Sequence, residues 1–406
     1  MAKQASLVLV INCGSSSLKF GLFETPSLSL IYEGLANELG SDKASVSITE
    51  IDTKQSVEHP CKNHADALGT ILGFLSNSLD LSGRLVGVGH RVVHGGELFK
   101  SSIVITEQVL QQIKACIPLA PLHNPANIQG IQLSQQAFPE VPQIAVFDTA
   151  FHQTMPPEAY IYALPYELYE NLGVRRYGFH GSSHRYVARQ AERALGIKQE
   201  GGNFVTAHLG NGASVCAIKN GVSVDTSMGM TPLEGLVMGT RSGDIDPGIF
   251  DYLINQGYSA TEINNLLNKE SGLKGISQLT NDMRTLSNEA ESGNTQCALA
   301  IEIFCLRLAK YIGAMLVSLR KIDALIFTGG IGENSALIRK TTTEHLLLLG
   351  FSIDTVKNQN REFAEHTAIN TENSHPILVI RTDEEKMIAS DTYALITPTD
   401  AREITQ

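Results

Sequence analysis

Two stretches of this chain follow one plan, and that repetition narrows the folds open to it. Residues 7–11 are a run of Leu, Val and Ile, the pattern of a strand buried on both faces. A small polar turn, Asn12-Cys13-Gly14-Ser15-Ser16-Ser17, follows, and residues 18–23 read as the returning strand. Far downstream, residues 204–209 lead through Gly210-Asn211-Gly212 into a second returning strand over 213–218. Asn-Gly between alternating apolar residues is a strong hairpin signal. The two stretches share no identity beyond strand, polar turn, strand, so they point to two copies of one fold. By its residues alone the first turn has two readings. It is a phosphate cradle, with Asn12, three hydroxyls and Lys19 aimed at one point, or it is an ordinary Ser-rich turn.

Composition removes several functions. A chain of 406 residues has room for about two to three domains with cores of their own. Hydrophobic content of 43% with 18% charged residues is that of a soluble globular protein. A net charge of −11 with no basic block speaks against a general nucleic-acid binder. Any anionic ligand must then meet local cations, which makes Lys19, Arg91, Arg175, Arg176 and Arg241 of interest. The six cysteines form no CxxC pair and no metal-ligand spacing, and they read as reduced, buried thiols of a cytoplasmic protein. Lys3 runs directly into a strand-like segment, so no signal peptide is read. The longest apolar helix candidate, 295–319, carries Glu302, Arg307 and Lys310, which argues against a membrane span.

Along the chain, residues 28–35 and 44–51 alternate as strands, 52–62 are polar and turn-like, and 63–79 form an amphipathic helix. Residues 85–93 are a strand interrupted by Gly87, Gly89 and Arg91. An arginine there means an edge or a cleft, and His94-Gly95-Gly96 favours the cleft. A helix over 106–117 takes Thr106 as its cap, and Asn124-Pro125 opens another. The strand 144–147 ends at Asp148, where open α/β sheets place ligands, a turn cap being the plainer role. A domain boundary falls near residue 150. Ser182 or Ser183 is expected to cap a helix ending at Gly196, which leaves His180 in a loop beside a helix N-terminus. Residues 225–246 read as an ordered functional loop, with helices over 247–256, 261–268 and 295–319. A strand at 323–327 leads through a glycine loop, 328–334, to a helix from Ser335, a pattern that suits a nucleotide. A last strand, 377–380, runs into Asp383-Glu384-Glu385 at the start of a helix.

The chain has no GxxxxGK[ST] loop, no GxGxxG after a strand, no GxSxG elbow and no HExxH. Three Gly-rich elements in a two-copy plan leave the ATP cleft of the actin, heat-shock-protein and sugar-kinase type. The sequence in fact closely resembles the acetate kinase family from end to end. The resemblance is carried by Asn12 to Lys19, His90 to Gly96, Pro121 to Pro125, Val146 to His152, Arg175 to Gly181, His208 to Gly212, Asp225 to Gly229, Met238 to Asp246 and Thr328 to Asn334. It implies an α/β protein of two facing, duplicated actin-like (ribonuclease H-like) domains with a nucleotide cleft between them. The domains would be 1–149, completed by a C-terminal helix 384–406, and 150–383.

The same resemblance implies reversible phosphoryl transfer from magnesium-ATP to acetate, giving acetyl phosphate and ADP, with manganese as an alternative metal. By that analogy Asn12 and Glu384 support the metal. Lys19, the run His208, Leu209, Gly210, Asn211 and Gly212, then Asp282, Met283 and Arg284, and finally Gly330, Ile331, Gly332, Glu333 and Asn334 line the nucleotide site. Arg91 holds the acetate carboxylate, Asp148 is the catalytic carboxylate, and His180 and Arg241 stabilise the transferring phosphoryl. Val93, Leu122, Phe179 and Pro232 form the acyl pocket, where Val93 leaves little room for an added methylene, worth about 1–3 kcal/mol of discrimination. Acetate has no proton to remove at neutral pH, so Asp148 is expected to orient magnesium or its water, not to act as a base. Propionate or butyrate as substrate is the near alternative. An actin-like or chaperone-like ATPase is the remote one. A cytoplasmic homodimer without nucleic-acid or membrane partners completes the expectation.

Overall fold

The computed structural model describes residues 5–79, 81, 83–197, 201–360 and 366–397. The chain forms two compact units, Met1–Phe151 with Asp383–Gln406, and His152–Thr382. The first holds the strands β1 Ser6–Cys13, β2 Leu18–Thr25, β3 Ser29–Asn37, β4 Ser45–Glu50, β5 Ser56–Pro60, β6 Leu85–Val92, β7 Ile103–Val104 and β8 Gln143–Phe147. They form one sheet in the order β5-β4-β3-β2-β1-β6-β8-β7. The second unit holds β9 Phe204–Leu209, β10 Ala213–Lys219, β11 Val222–Thr226, β12 Ala324–Thr328, β13 His366–Ala368 and β14 Ile377–Ile380, in the order β11-β10-β9-β12-β14-β13.

The two sheets share one topology. In each, the first three strands form an antiparallel meander, two later strands add in parallel beside the first, and a short antiparallel strand ends the sheet. Strands β4 and β5 are the extra edge of the first unit. The two hairpins read from the sequence, β1-β2 and β9-β10, occupy the same place in each copy.

The side-chain period of two explains why β1 is apolar throughout. Leu7, Leu9, Ile11 and Cys13 pack on one face with Ala67, Leu68, Ile71 and Leu75 of the helix His64–Ser78. Val8 and Val10 face the other way, toward Ile144, Val146, Ile388 and Ala389. The last two belong to the helix Glu384–Ile396, which thus seals the far side of a sheet begun hundreds of residues earlier. The C-terminal helix expected over 384–406 is seen to Ile396, and residues 398–406 lie outside those described.

Several local expectations change. The polar stretch 52–62 contains β5, an exposed edge strand held by backbone pairing to β4 despite its polarity. The expected loop 225–246 begins inside β11. The glycine segment after β12 is itself a helical turn, Gly329–Asn334, with Ser335 capping the next helix. Arg91 lies on β6, between β1 and β8, not at an edge. Neither Ser182 nor Ser183 is a cap. The helix begins at Gly181, and His180 stands at the N-cap with left-handed backbone, φ 57°.

Candidate active site

In the first unit the turn after β1 is tied down from both sides. His64 Nε2 lies 2.7 Å from Gly14 O, and Asn127 Nδ2 donates to Cys13 O at 2.7 Å while its Oδ1 accepts from Val93 N at 3.0 Å. One asparagine therefore fixes the ends of β1 and β6 together. Asn124 does the same for His94, accepting from its N–H and donating to its carbonyl. Asn12 sits opposite Lys19 across the β1-β2 hairpin. The Lys19 ammonium pairs with Glu385 at 2.8 Å. Burial works against its charge, but Glu385 outweighs that and keeps the ammonium charged beyond its ordinary range.

Arg91 and Asp148 come together as neighbours on β6 and just past β8. Arg91 Nε donates to both Asp148 oxygens at 3.0 and 3.1 Å, and Nη2 donates to Oδ2 at 2.6 Å. Asp148 is nearly sealed from solvent, whereas about a quarter of the Arg91 side chain, 24%, remains open. The fork has a second edge, Nη1 with the other Nη2 proton, so a two-pronged grip on another carboxylate survives there. Desolvation opposes the Arg91 charge, and Asp148 and Glu384 more than restore it.

Glu384 opens its helix behind the Asp383 cap. Burial pushes its carboxyl up to about 7; Arg91 pulls it back, while Asp148 and Glu385 push it further. A carboxyl crowded by two others suits a hard divalent cation that keeps most of its ligands from water and phosphate, and an amide oxygen such as that of Asn12 is a ligand of the same hard type. Among the described residues, no group of three or more His, Cys, Asp or Glu forms a ready metal cage.

In the second unit the predicted residues converge on the β9-β10 turn. A Cβ built on Gly212 would lie 3.4 Å from both His180 Nε2 and Arg241 Nη1, so both side chains reach over the turn. The His180 and His208 rings stack with centroids 4.4 Å apart. His208 Nδ1 meets Ser183 Oγ at 2.8 Å, and that hydroxyl meets Thr382 Oγ1 at 2.7 Å. Arg241 donates from Nη1 to Pro232 O at 3.2 Å, and burial lowers its pKa because no carboxylate among the described residues compensates it. An uncompensated, half-buried guanidinium is prepared for an anion. Asn211 is anchored by Gly239 N on its carbonyl and by Asn281 Nδ2 on its side chain.

The remaining predicted residues divide by what they touch. Asp282 caps the helix Met283–Glu291 and holds Arg284 N and Thr285 Oγ1; Met283 is buried and Arg284 exposed. Glu333 turns inward, its Oε1 accepting from Gly329 N and Thr382 N at 3.0 Å each, while Gly330, Ile331 and Asn334 keep exposed atoms. The buried Arg339 secures that turn by donating to the carbonyls of Gly332 and Glu333. Of the apolar set, Val93 and Phe179 are buried, Pro232 half-buried and Leu122 exposed. Val93 and Leu122 belong to the first unit, Phe179 and Pro232 to the second. Sequence reasoning passed over Asn127, His64, His184, Ser214 and Thr206. The signal for the last two was available: polar residues at alternate positions in strands otherwise apolar.

Two α/β sheets of one topology, the second with an arginine and two histidines at its hairpin turn, have the actin-like ATPase fold that solved acetate kinases share. More narrowly, the chain belongs to the Acetokinase family, whose pattern matches residues 7–390. It is 50% identical to acetate kinase of Stutzerimonas stutzeri over 390 residues, covering 96% of this chain and 98% of that one. Its fold matches the crystal structure of acetate kinase from Porphyromonas gingivalis at 42% identity and TM-score 0.91, covering 97% of this chain and all of that one. It matches a propionate kinase from Francisella tularensis at 49% identity and the same TM-score, covering 96% and 99%. Among the described residues no helix is long and apolar enough to cross a membrane.

Proposed function

We propose that this protein is an ATP:acetate phosphotransferase, moving a phosphoryl group reversibly between ATP and the acetate carboxylate to give acetyl phosphate and ADP. The observation that carries the reading is that His180 Nε2 and Arg241 Nη1 both reach over Gly212, each 3.4 Å from where its Cβ would sit, in a chain of the Acetokinase family. In a loose phosphoryl-transfer transition state charge spreads over three equatorial oxygens, so catalysis consists of positioning and cationic stabilisation. Arg241 and His180 supply those donors, and losing one costs on the order of 10²–10³ in turnover.

Arg91 takes the acetate carboxylate on its Nη1/Nη2 edge while Asp148 locks the opposite edge. Asp148 has no proton to take from acetate, and with both oxygens on Arg91 its role is to aim the guanidinium and to place negative charge beside Glu384. Magnesium, or manganese in its stead, neutralises phosphate charge when bound, and Asn12 and Glu384 would hold it. Lys19, the 208–212 turn, 282–284 and 330–334 serve the nucleotide, with Glu333 and Met283 acting as internal supports. Val93, Leu122, Phe179 and Pro232 bound the acyl chain. The enzyme works as a cytoplasmic homodimer with no nucleic-acid or membrane partner.

Purified protein with acetate, ATP, magnesium and hydroxylamine should accumulate acetohydroxamate. ATP consumption without hydroxamate would overturn the reading in favour of a plain ATPase. The fold match to a propionate kinase supports a second substrate, propionate. Comparing kcat/KM for the two acids decides between them: a tight pocket at Val93 predicts roughly tenfold or more in favour of acetate.

A further inference from the structure

We infer that Ser214 is a positioning residue for His180. With His184 and Thr206 behind it, its hydroxyl holds the neutral His180 ring in the tautomer that carries its proton on Nε2, the nitrogen that reaches over Gly212. Its catalytic consequence rests on the phosphotransferase reading; the tautomer itself does not.

Four side chains form one hydrogen-bonded line. His180 Nδ1 is 2.9 Å from Ser214 Oγ, that oxygen is 2.8 Å from His184 Nε2, and His184 Nδ1 is 2.7 Å from Thr206 Oγ1. The direction follows from proton counting, starting at the buried end. Thr206 has one near acceptor, His184 Nδ1, and one at 3.5 Å, the Cys216 carbonyl, at the limit of a hydrogen bond. Its proton therefore goes to His184 Nδ1. His184 is fully buried, and burial, with His152 and His208 nearby, keeps it neutral. A neutral imidazole has one proton, so His184 carries it on Nε2 and donates to Ser214 Oγ. The Ser214 proton is then committed to His180 Nδ1, which leaves Nε2–H as the donor of the neutral His180 ring.

The local fold builds this line. His180 and His184 stand one helical turn apart at the start of the helix Gly181–Leu195, so both face β9 and β10. Thr206 and His208 share a face of β9, and their cross-strand partners are Cys216 and Ser214. Around the His180 ring stand His208, stacked at 4.4 Å, His184, with centroids at 6.5 Å, and Arg241 across Gly212, with His152 5.7 Å from His184. The left-handed backbone of His180 fixes the ring's origin and is the kind of strain a surrounding network holds in place. The advantage is that His180 donates to a phosphoryl oxygen whether or not it is protonated.

Nitrogen-15 histidine NMR of the full-length protein reads the tautomer without substrate. We expect Nε2–H for His180 in the wild type at about pH 8, and a shift toward Nδ1–H in Ser214→Ala. In the hydroxamate assay the ratio of Ser214→Ala to wild-type kcat should fall between about pH 6 and pH 8.5, with KM values nearly unchanged, because the neutral variant rings that carry Nδ1–H cannot donate from Nε2. Thr206→Val should move the ratio the same way, and Ser214→Thr should restore it. If Ser214→Ala fails to fold, the nearly isosteric Thr206→Val decides. A wild-type Nδ1–H tautomer, or a ratio flat with pH in folded variants, would overturn the inference. A wild type inactive on acetate but showing Nε2–H would instead overturn the proposed function alone.

Discussion

Arg91 and Asp148 were both legible as unusual residues, a cation inside an apolar strand and a carboxylate at a strand's end. Their pairing was not, because it depends on β6 and β8 being parallel neighbours. The pairing gives Asp148, beside its expected part in orienting magnesium, the proposed task of aiming Arg91. Asp148→Asn keeps the size but loses the charge, and truncating one partner of a buried charge pair costs about 2–5 kcal/mol. We expect the low end, since Arg91 remains partly open to water, and a raised KM for acetate with KM for ATP little changed. Steady-state kinetics on both substrates checks this. His90, one residue earlier, carries a different consequence. It is buried against Gln143 Oε1 at 2.7 Å, and burial lowers it from 6.5 to about 4, the hydrogen bond offsetting part of that. A depressed folded value means the unfolded chain binds the extra proton first, so stability present above pH 6.5 is lost as pH falls toward about 4, by about 3 kcal/mol. Denaturant midpoints across that window should fall in the wild type and flatten in His90→Asn.

At the level of elements, most strands and helices could be read because their apolar period was clear, as in the helix Thr295–Val317. The failures have physical causes. Ser182 and Ser183 look like caps, but the left-handed turn at His180 starts the helix earlier and frees Ser183 for His208 and Thr382. Strand β5 is polar because it is an exposed edge on which only His59 is half-buried. Gly87 and Gly89 interrupt an apolar strand, which signals a close approach without naming the neighbour. The neighbour is the helix Glu384–Ile396: a Cβ on Gly89 would overlap Thr392 Oγ1 and come within 2.7 Å of Ile388 Cγ2. Gly89→Ala should therefore lift that helix from the sheet and destabilise the first unit by about 1–3 kcal/mol. A lowered thermal midpoint checks it, and an unchanged one would mean that the helix gives way freely.

For the whole molecule, the duplicated plan was visible in two strand-turn-strand stretches, and the matching sheet orders bear it out. What one linear reading could not supply is that the first unit is discontinuous in the chain. Val8, Val10, Ile144 and Val146 present an apolar face, joined by Phe23, on which Ile388 and Ala389 pack from the far end of the sequence. Until that helix is made, much of the face stays open, so the first unit's stability depends on residues synthesised after the whole of the second unit. Ile388 is 1% exposed, and replacing it by Ala removes buried methylene groups and leaves a cavity, at about 2–5 kcal/mol. That loss should be confined to one unit, because the second unit builds its sheet from His152–Thr382 alone. Hydrogen exchange read by mass spectrometry separates the two. Peptides from β1, β6 and β8 should lose protection in Ile388→Ala, while those from β9, β12 and β14 should keep it. Equal loss in both sets would mean that the chain unfolds as one cooperative body and that the helix stabilises far more than the sheet it covers.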